Sequence, residues 1–453
     1  MDSDNICAIA TANGHAGIGI IRISGSEALK IALLLTKKAA FIHKVAQYCD
    51  FYSTTNEILD SGLVIYFKAP FSFTGEDVIE IHAHGSPIVL QMLIKQSLEL
   101  GCRLANPGEF SQRAYINGKI DLIQAESIID LINAESEATA KSALKSLKGQ
   151  FSKHIDLINQ QLINLRMFVE ATLDFPEEDI EFIVEAKIQD KLNALVKEIA
   201  RLLNNTKQGV LLNNGANIVI IGRPNVGKSS LLNTLANEDI AIVTDIEGTT
   251  RDIIKEKIII NGIAFNIIDT AGIRATDDIV EQLGIKRAFS AVETASLCLV
   301  IVDAVIGITT DDENILRQIP AHIPCLFVHN KIDLLNPENG QPQYMNFIQK
   351  INGQIHIYIS AKLKLGITQL RANILDLVGF DNNNTDGYIA RIRHLNAITA
   401  AVNHIQNGFN NWNNLELLAE ELRYDHNKLS EVTGEFSLDD LLGDIFSTFC
   451  IWK

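Results

Sequence analysis

The sequence predicts a multidomain chain: an α+β N-terminal domain over 1-118, a helical domain built from two chain segments (119-213 and 380-453), and an α/β block inserted between them at 214-379. Three observations predict this. Up to about Gly118, strand-length apolar runs such as Gly19-Ile20-Ile21-Arg22-Ile23 and Leu63-Val64-Ile65-Tyr66-Phe67 alternate with turn formers at Asn13-Gly14, Ser24-Gly25 and Pro107-Gly108. From Asp121 to Gly209 glycine nearly vanishes, and Leu122, Ile123, Ile128, Ile129 and Ile132 recur at helical spacing. The same texture returns after Tyr388 with Leu417, Leu418, Leu422 and Leu429. Polar, loop-like borders flank the block, Asn213-Asn214-Gly215 before it and Asp381 to Gly387 after it, and insertion is tolerated where few buried contacts cross.

Bulk properties narrow the class. A chain of 453 residues exceeds one ordinary core, and 47% hydrophobic with 21% charged residues suits folded domains rather than disorder. No apolar run reaches the roughly 18 residues of a membrane span, and the acidic start Met1-Asp2-Ser3-Asp4 lacks the features of a secretory signal, so a cytoplasmic protein with no membrane association is expected. The net charge of -16 repels phosphate backbones, which leaves RNA contact to a local surface or one shared with a partner. The six cysteines contain no C-x-x-C pair and read mostly as small buried side chains in a reducing compartment.

The block carries the chemistry. The apolar run Ile218-Val219-Ile220-Ile221 feeds Gly222-Arg223-Pro224-Asn225-Val226-Gly227-Lys228-Ser229, then Ser230 and the helical Leu231, Leu232 and Leu235. A strand, a G-x-x-x-x-G-K-S loop and a helix in that order turn successive amides toward phosphate oxygens, with Lys228 as a point charge and the Ser229 hydroxyl suited to Mg²⁺. One hairpin further, around Asn261-Gly262, a strand ends in Asp269-Thr270-Ala271-Gly272, a D-x-x-G arrangement that brings a carboxylate toward Mg²⁺ and a glycine amide toward the terminal phosphate. After Cys325-Leu326-Phe327-Val328 come Asn330, Lys331 and Asp333, where the Asp333 carboxylate can accept from both the ring N–H and the amino group of guanine. Ser360-Ala361-Lys362 supplies a second base-contacting loop. Adenine would leave that carboxylate unpaired, a mismatch that costs on the order of 10⁴-fold. The order of these signals predicts a Ras-like P-loop GTPase domain that binds GTP.

For hydrolysis, many small GTPases use a glutamine after the D-x-x-G glycine, whereas Ile273 and Arg274 stand here. Arg251 and Arg274 could supply positive charge, Glu281 could position water, and Lys228 and Thr250 complete the catalytic candidates. Asn225 and the segment Thr244-Asp245-Ile246-Glu247-Gly248-Thr249-Thr250 offer carbonyl oxygens beside the phosphates, suited either to a monovalent cation or to an ordinary switch loop with Thr250 on Mg²⁺.

With these residues in hand, the chain resembles the MnmE (TrmE) family of bacterial tRNA-modification GTPases over nearly its whole length. The resemblance rests on Gly17 to Gly25, Phe73-Thr74-Gly75-Glu76-Asp77, Pro107-Gly108-Glu109-Phe110, Gly222 to Ser230, Thr244 to Asp252, and Cys450 near the terminus. It implies a homodimer that joins a flavoprotein, MnmG (GidA), in a heterotetramer and modifies the wobble uridine of tRNA at carbon 5 by carboxymethylaminomethyl or aminomethyl addition, with a tetrahydrofolate one-carbon donor (5-formyl or 5,10-methylene). It further implies K⁺ held by Asn225, Thr244, Ile246 and Thr249 on GTPase-domain dimerisation, Mg²⁺ on Ser229 and Thr250, and water placed by Glu281. For folate it implies Arg22, Glu80, Lys119 and Lys453. The residues alone leave Arg22 and Glu80 equally readable as solvent-facing or as a structural ion pair. His82 and His84 share a strand face without an apparent third ligand and read as packing residues. The family commonly ends C-x-G-K, whereas this chain ends Cys450-Ile451-Trp452-Lys453. Tryptophan restricts the backbone that glycine would free, and Cys450 reads either as a reactive thiol for the modification chemistry or as a buried side chain. One competing reading is a regulatory GTPase switch in ribosome assembly, against which the Phe73 to Asp77 and Pro107 to Phe110 segments favour modification; another, a folate-dependent one-carbon transferase with an accessory nucleotide site, shares those segments.

Overall fold

The computed structural model describes residues 4–174, 181–236, 254–269, 293, 295–317, 319–335, 347–381 and 387–434. The chain divides into two compact units, one of residues 1–129, 152–159 and 427–453, the other of 130–151 and 160–426.

The first unit is built on a sheet of β1 (Asn5–Ile9), β2 (Ala16–Ser24), β3 (Ala46–Tyr52), β4 (Ile58–Phe67), β5 (Val78–Gly85) and β6 (Cys102–Leu104) in the order β3-β4-β5-β2-β1-β6, with only the β1–β6 pair parallel. Helices α1 (Ala28–Thr36) and α2 (Pro87–Glu99) cover one face. Because side chains alternate along a strand, that face takes the buried set Ile21, Ile23, Phe51, Val64, Ile79 and Ile81. The opposite face carries Arg22, Glu80, His82 and Leu63, and the edge residue Tyr48 is 66% exposed. Helix α3 (Glu109–Ile116) and the start of α4 (Leu122–Ile132) follow, and the Tyr115 hydroxyl donates to the Gly434 carbonyl at 2.6 Å, fastening the distant residue 434 to this unit.

In the second unit the helices come from both sides of the α/β block, as the sequence predicts. Before it lie α5 (Glu137–Leu147), α6 (Gln150–Asp174, shared with the first unit) and α7 (Glu181–Asn214). The block contributes β7 (Ala216–Ile221), α8 (Lys228–Ala236), β8 (Ile254–Ile260), β9 (Ile263–Asp269), β10 (Leu297–Asp303), α9 (Thr310–Leu316), β11 (Cys325–Asn330), β12 (Ile348–Ile351), β13 (Gln354–Tyr358) and α10 (Ile367–Leu377). After it lie α11 (Ile392–Asn410) and α12 (Leu415–Thr433). Helices α7 and α11 pack together, the Phe151 ring stacks on Tyr388 at 4.0 Å, and the Ser146 hydroxyl donates to the Ile389 carbonyl.

The seven-stranded sheet runs β12-β13-β11-β10-β7-β9-β8. Its five inner strands are parallel and apolar on both faces, which is why β10 is buried at every position. One border differs from expectation. Residues 213 and 214 are not a loop: α7 runs through Asn214, and Gly215 alone, at φ +69°, turns the chain into β7. A Cβ there would meet the Ala264 carbonyl oxygen at 2.2 Å, so a single glycine does the work expected of a linker.

Candidate functional site: a nucleotide cleft at the sheet's carboxyl edge

The central strand β7 lies between β9 and β10, so the chain leaves it in opposite directions and opens a crevice at the carboxyl ends of the parallel strands. Every described sequence motif of the block falls at this edge. Gly222 follows β7, Asp269 closes β9, Asn330 closes β11, and Ser360 comes two residues after β13.

The phosphate loop runs from Gly222 to the first residue of α8, Lys228, so its amides lead into a helix N-terminus. Asn225 is exposed and sits in the left-handed region at φ +63°. Ser229 and Ser230 are exposed in the first turn, and Val226 is buried. The Lys228 ammonium donates to the Gly222 carbonyl at 2.6 Å. Gly227, at φ +95°, lies so close to Asn330 that a Cβ would sit 2.3 Å from its Nδ2, which excludes any side chain.

Asn330, 2% exposed, joins the pieces. Its Nδ2 donates to the Val226 carbonyl at 2.9 Å, and its Oδ1 accepts from the Ala361 amide at 3.0 Å, so one side chain holds the phosphate loop against the Ser360 to Lys362 segment. Asp333 lies in a short 3₁₀ turn (Ile332–Leu334), where its Oδ1 accepts from the Ser360 hydroxyl at 2.6 Å. The Thr234 hydroxyl of α8 donates to the Ala361 carbonyl. The phosphate loop with α8, the Asn330 to Asp333 segment and the Ser360 to Lys362 segment thus form one hydrogen-bonded assembly.

Supporting groups that the motif reading passed over lie beneath it. His329 precedes Asn330 and is stacked on His356 and Tyr358, with 2.9 Å between His329 Nε2 and His356 Nδ1. Burial, with His356 adjacent, pushes the His329 pKa down to about 4, so the pair is neutral and shares one proton-bearing contact. Asp303, at the end of β10, pairs with Lys331 at 2.9 Å. Asp312, 1% exposed, accepts from the Thr309 amide and hydroxyl and lies 3.5 Å from Nε of Arg223 in the phosphate loop. The only sequence signal for Asp303 was a carboxylate ending an otherwise apolar strand.

On the open face of the first unit's sheet, Arg22 and Glu80 are register partners on β2 and β5 and form an ion pair at 2.7 Å. Of the alternatives left open by sequence, the ion pair is the one present. The Arg22 guanidinium also lies 5.9 Å from the Phe73 ring centroid and 5.7 Å from that of Phe110. Lys119 donates to the Pro70 carbonyl at 2.8 Å. The packing role expected of His84 does not hold: its side chain is 72% exposed and pairs with Asp60 at 2.7 Å, because the strand's alternation turns it outward. His82 Nε2 lies 3.5 Å from Glu80. Among the described residues no group of three or more His, Cys, Asp or Glu is arranged to hold a metal ion.

The Phe73 to Asp77 and Pro107 to Phe110 segments meet through an ionic network. Arg113 bridges Glu76 at 3.0 Å and Glu109 at 2.9 Å, Arg103 pairs with Glu109 at 2.6 Å, and the Ser24 hydroxyl donates to Glu76. Burial opposes ionisation of Glu109, but Arg103, the Asn106 amide and Arg113 outweigh it and hold the carboxyl below the usual range.

Comparison with known proteins decides the family. The model of the GTP-binding protein TrmE N-terminus matches residues 5–119, and that of the MnmE helical domain matches 122–450. A tRNA modification GTPase MnmE from Chromobacterium violaceum is 48% identical over 99% of this chain and 98% of its own length. The chain belongs to the MnmE family of tRNA modification GTPases. The protein of the same name from Francisella philomiragia subsp. philomiragia is 49% identical over 99% of both chains. Among solved structures, an Era variant from Aquifex aeolicus bound to GDP and AlF₄⁻ aligns over 42% of this chain and 66% of that one at 25% identity, with a TM-score of 0.28. Among the described residues no helix is long and apolar enough to cross a membrane.

Several expected site residues lie outside the described residues: Thr244, Asp245, Ile246, Glu247, Gly248, Thr249, Thr250, Arg251, Thr270, Ala271, Gly272, Arg274, Glu281, Cys450 and Lys453.

Proposed function

We propose that this member of the MnmE family binds and hydrolyses GTP at the carboxyl edge of the seven-stranded sheet and uses that cycle in modifying the wobble uridine of tRNA at carbon 5. The observation that carries the nucleotide reading is Asn330, which ties the phosphate loop to the segment after β13, where the Ser360 hydroxyl in turn holds the Asp333 carboxylate. Asp333 reads guanine, Lys331 and the Ser360-Ala361-Lys362 loop flank the base, and Asn225 to Ser230 cradle the phosphates, with Asp269, Thr270, Ala271 and Gly272 as further candidate contacts.

Mg²⁺ fits the exposed Ser229 hydroxyl heading α8, with Thr250 as its second protein ligand, and would neutralise phosphate charge. K⁺ fits the amide oxygen that exposed Asn225 offers from its left-handed backbone, with Thr244, Ile246 and Thr249 completing the set. Glu281 places the attacking water, while Lys228 and Thr250 stabilise the transferring phosphoryl group. Faster GTP turnover in K⁺ than in Na⁺ is expected, and equal rates would remove the cation from the account.

The Arg22–Glu80 pair beside the partly exposed Phe73 ring fits a flat, hydrogen-bonding heterocycle, which supports a bound tetrahydrofolate derivative (5-formyl or 5,10-methylene), with Lys119 and Lys453 as further candidate ligands. Such a group would supply the one-carbon unit. The exposed Tyr48 and Leu63 side chains on the open face of the first unit's sheet support a homodimer. The flavoprotein MnmG is the expected partner in a heterotetramer, which is also one way for a chain of charge -16 to engage tRNA, and a cytoplasmic location follows from that substrate. Cys450 is a candidate thiol for the modification step.

Nucleoside analysis of tRNA from cells lacking the gene tests this reading. Loss of the carbon-5 substituent on wobble uridine is expected. Nucleoside profiles unchanged from those of the parent strain would favour a regulatory switch in ribosome assembly instead.

A further inference from the structure

We infer that Asp303 is a positioning residue for guanine-nucleotide binding, acting through Lys331. The inference rests on the nucleotide site described above, in which Lys331 flanks the base. Lys331 occupies the left-handed region, φ +68° and ψ +34°, which an L-residue with a Cβ adopts only when its surroundings hold it there. Its side chain is 32% exposed and would sample many rotamers if untethered. The tether is Asp303: the ammonium lies 2.9 Å from Oδ2.

That carboxylate is itself fixed. Asp303 and Asn330 are register partners at the ends of β10 and β11, so the loop after β10 starts directly beside the guanine segment. The other oxygen, Oδ1, accepts from the Val305 amide at 3.0 Å. The Asp303 carbonyl accepts from the Gly307 amide, and the Ala304 amide donates to the Asn330 carbonyl at 2.7 Å. Asp303 is 7% exposed, so the carboxylate end of the pair is shielded from solvent while the ammonium end is partly open. Burial works against its ionisation, while the hydrogen bonds from Lys331 and from the Val305 amide overcome it and keep the carboxyl below the usual carboxylate range. One oxygen anchors the loop and the other stretches Lys331 between a strained backbone and a fixed charge. This leaves the lysine methylenes as a preformed apolar strip beside the base.

Asparagine is nearly isosteric and can still accept from the Val305 amide, so Asp303→Asn removes the charge while keeping the loop bond. Calorimetry of Mg²⁺-GDP on the full chain at fixed salt should show Asp303→Asn and Lys331→Met each weakening binding roughly tenfold, with the double variant no weaker than Lys331→Met alone. Asp303→Glu, which keeps the charge, should retain most of the affinity. Asp303→Asn losses that persist in full in the Lys331→Met background, or a Glu variant as weak as Asn, would overturn the inference and leave Asp303 a purely structural residue. If Lys331→Met itself left GDP binding unchanged, the reading of Lys331 as a base-flanking residue would fall first, which separates the two failures.

Discussion

Asn330→Ala isolates the joint on which the nucleotide cleft depends. The wild-type side chain makes two hydrogen bonds, 2.9 Å to the Val226 carbonyl and 3.0 Å from the Ala361 amide. Both partners belong to buried residues, 3% and 5% exposed, so truncation leaves an acceptor and a donor without partners in a dry setting. Each orphaned group costs about 1–3 kcal/mol, giving roughly 2–6 kcal/mol before relaxation. The structure can recover part of that by admitting water or by moving the phosphate loop, and moving the loop disperses the amides that hold phosphate. Taking the lower bound, GDP and GTP affinity should fall at least about thirtyfold, since 1.4 kcal/mol is about tenfold. Asn330→Asp is the informative companion. It keeps the acceptor for Ala361 but sets an oxygen against the Val226 carbonyl, so it should be no better than alanine. The assay is calorimetric titration with Mg²⁺-GDP, alongside thermal melts of the nucleotide-free variants to separate binding from folding. An alanine variant that binds within threefold of wild type would refute the view that Asn330 organises the site.

Gly262→Ala should destabilise the chain by about 2 kcal/mol or more in urea unfolding, because the turn holds φ +85°, its carbonyl accepts from the Ser136 hydroxyl just before α5, and a Cβ would lie 2.4 Å from Cβ of Ala138; unchanged stability would mean that the β8–β9 hairpin does not dock on α5. The Glu109 carboxyl is held below its ordinary 4.5, so its contribution is present above that value and is lost as pH falls through the lower folded pKa. Unfolding midpoints should therefore drop on acidification below about pH 4.5, and Glu109→Gln should flatten that slope; equal slopes in the two proteins would exclude it. Asp425 is fully buried, neither of its carboxyl oxygens has a hydrogen-bond partner among the described residues, and burial with Glu421 nearby raises its pKa well above 3.8. The sign is opposite: the unfolded chain releases this proton first, so stability declines as pH rises above the unfolded value, and Asp425→Asn should gain about 1–3 kcal/mol at neutral pH. A destabilised Asn variant at pH 7 would show that the carboxyl serves a charged partner.

What could be read in the sequence was whatever is contiguous. The phosphate loop, the Asn330 to Asp333 segment and the Ser360 loop are linear patterns whose flanking strands are apolar runs, and these emerge at one sheet edge because parallel strands all end there. The two-segment helical assembly was legible from glycine scarcity and leucine spacing. Properties created by register were not. Arg22 meets Glu80 only because β2 and β5 pair as they do, and Asp303 reaches Lys331 only because β10 and β11 end in step. The Asn213 to Gly215 border misled because polar residues end helices as readily as they form loops; Gly215 alone supplies the turn, and the Ala264 carbonyl on β9 leaves no room there for a side chain. Likewise His84 looked like a packing residue when only its strand was known, and its outward direction depended on which face α1 and α2 would cover.

The most direct test compares GTP and ATP binding to the unaltered chain by competition calorimetry in Mg²⁺. With the Asp333 carboxylate set by Ser360 at 2.6 Å, GTP should win by about 10³-fold or more. Equal affinity for the two nucleotides would mean that nothing at the edge of β11 reads a guanine, and the assignment of this cleft would be wrong.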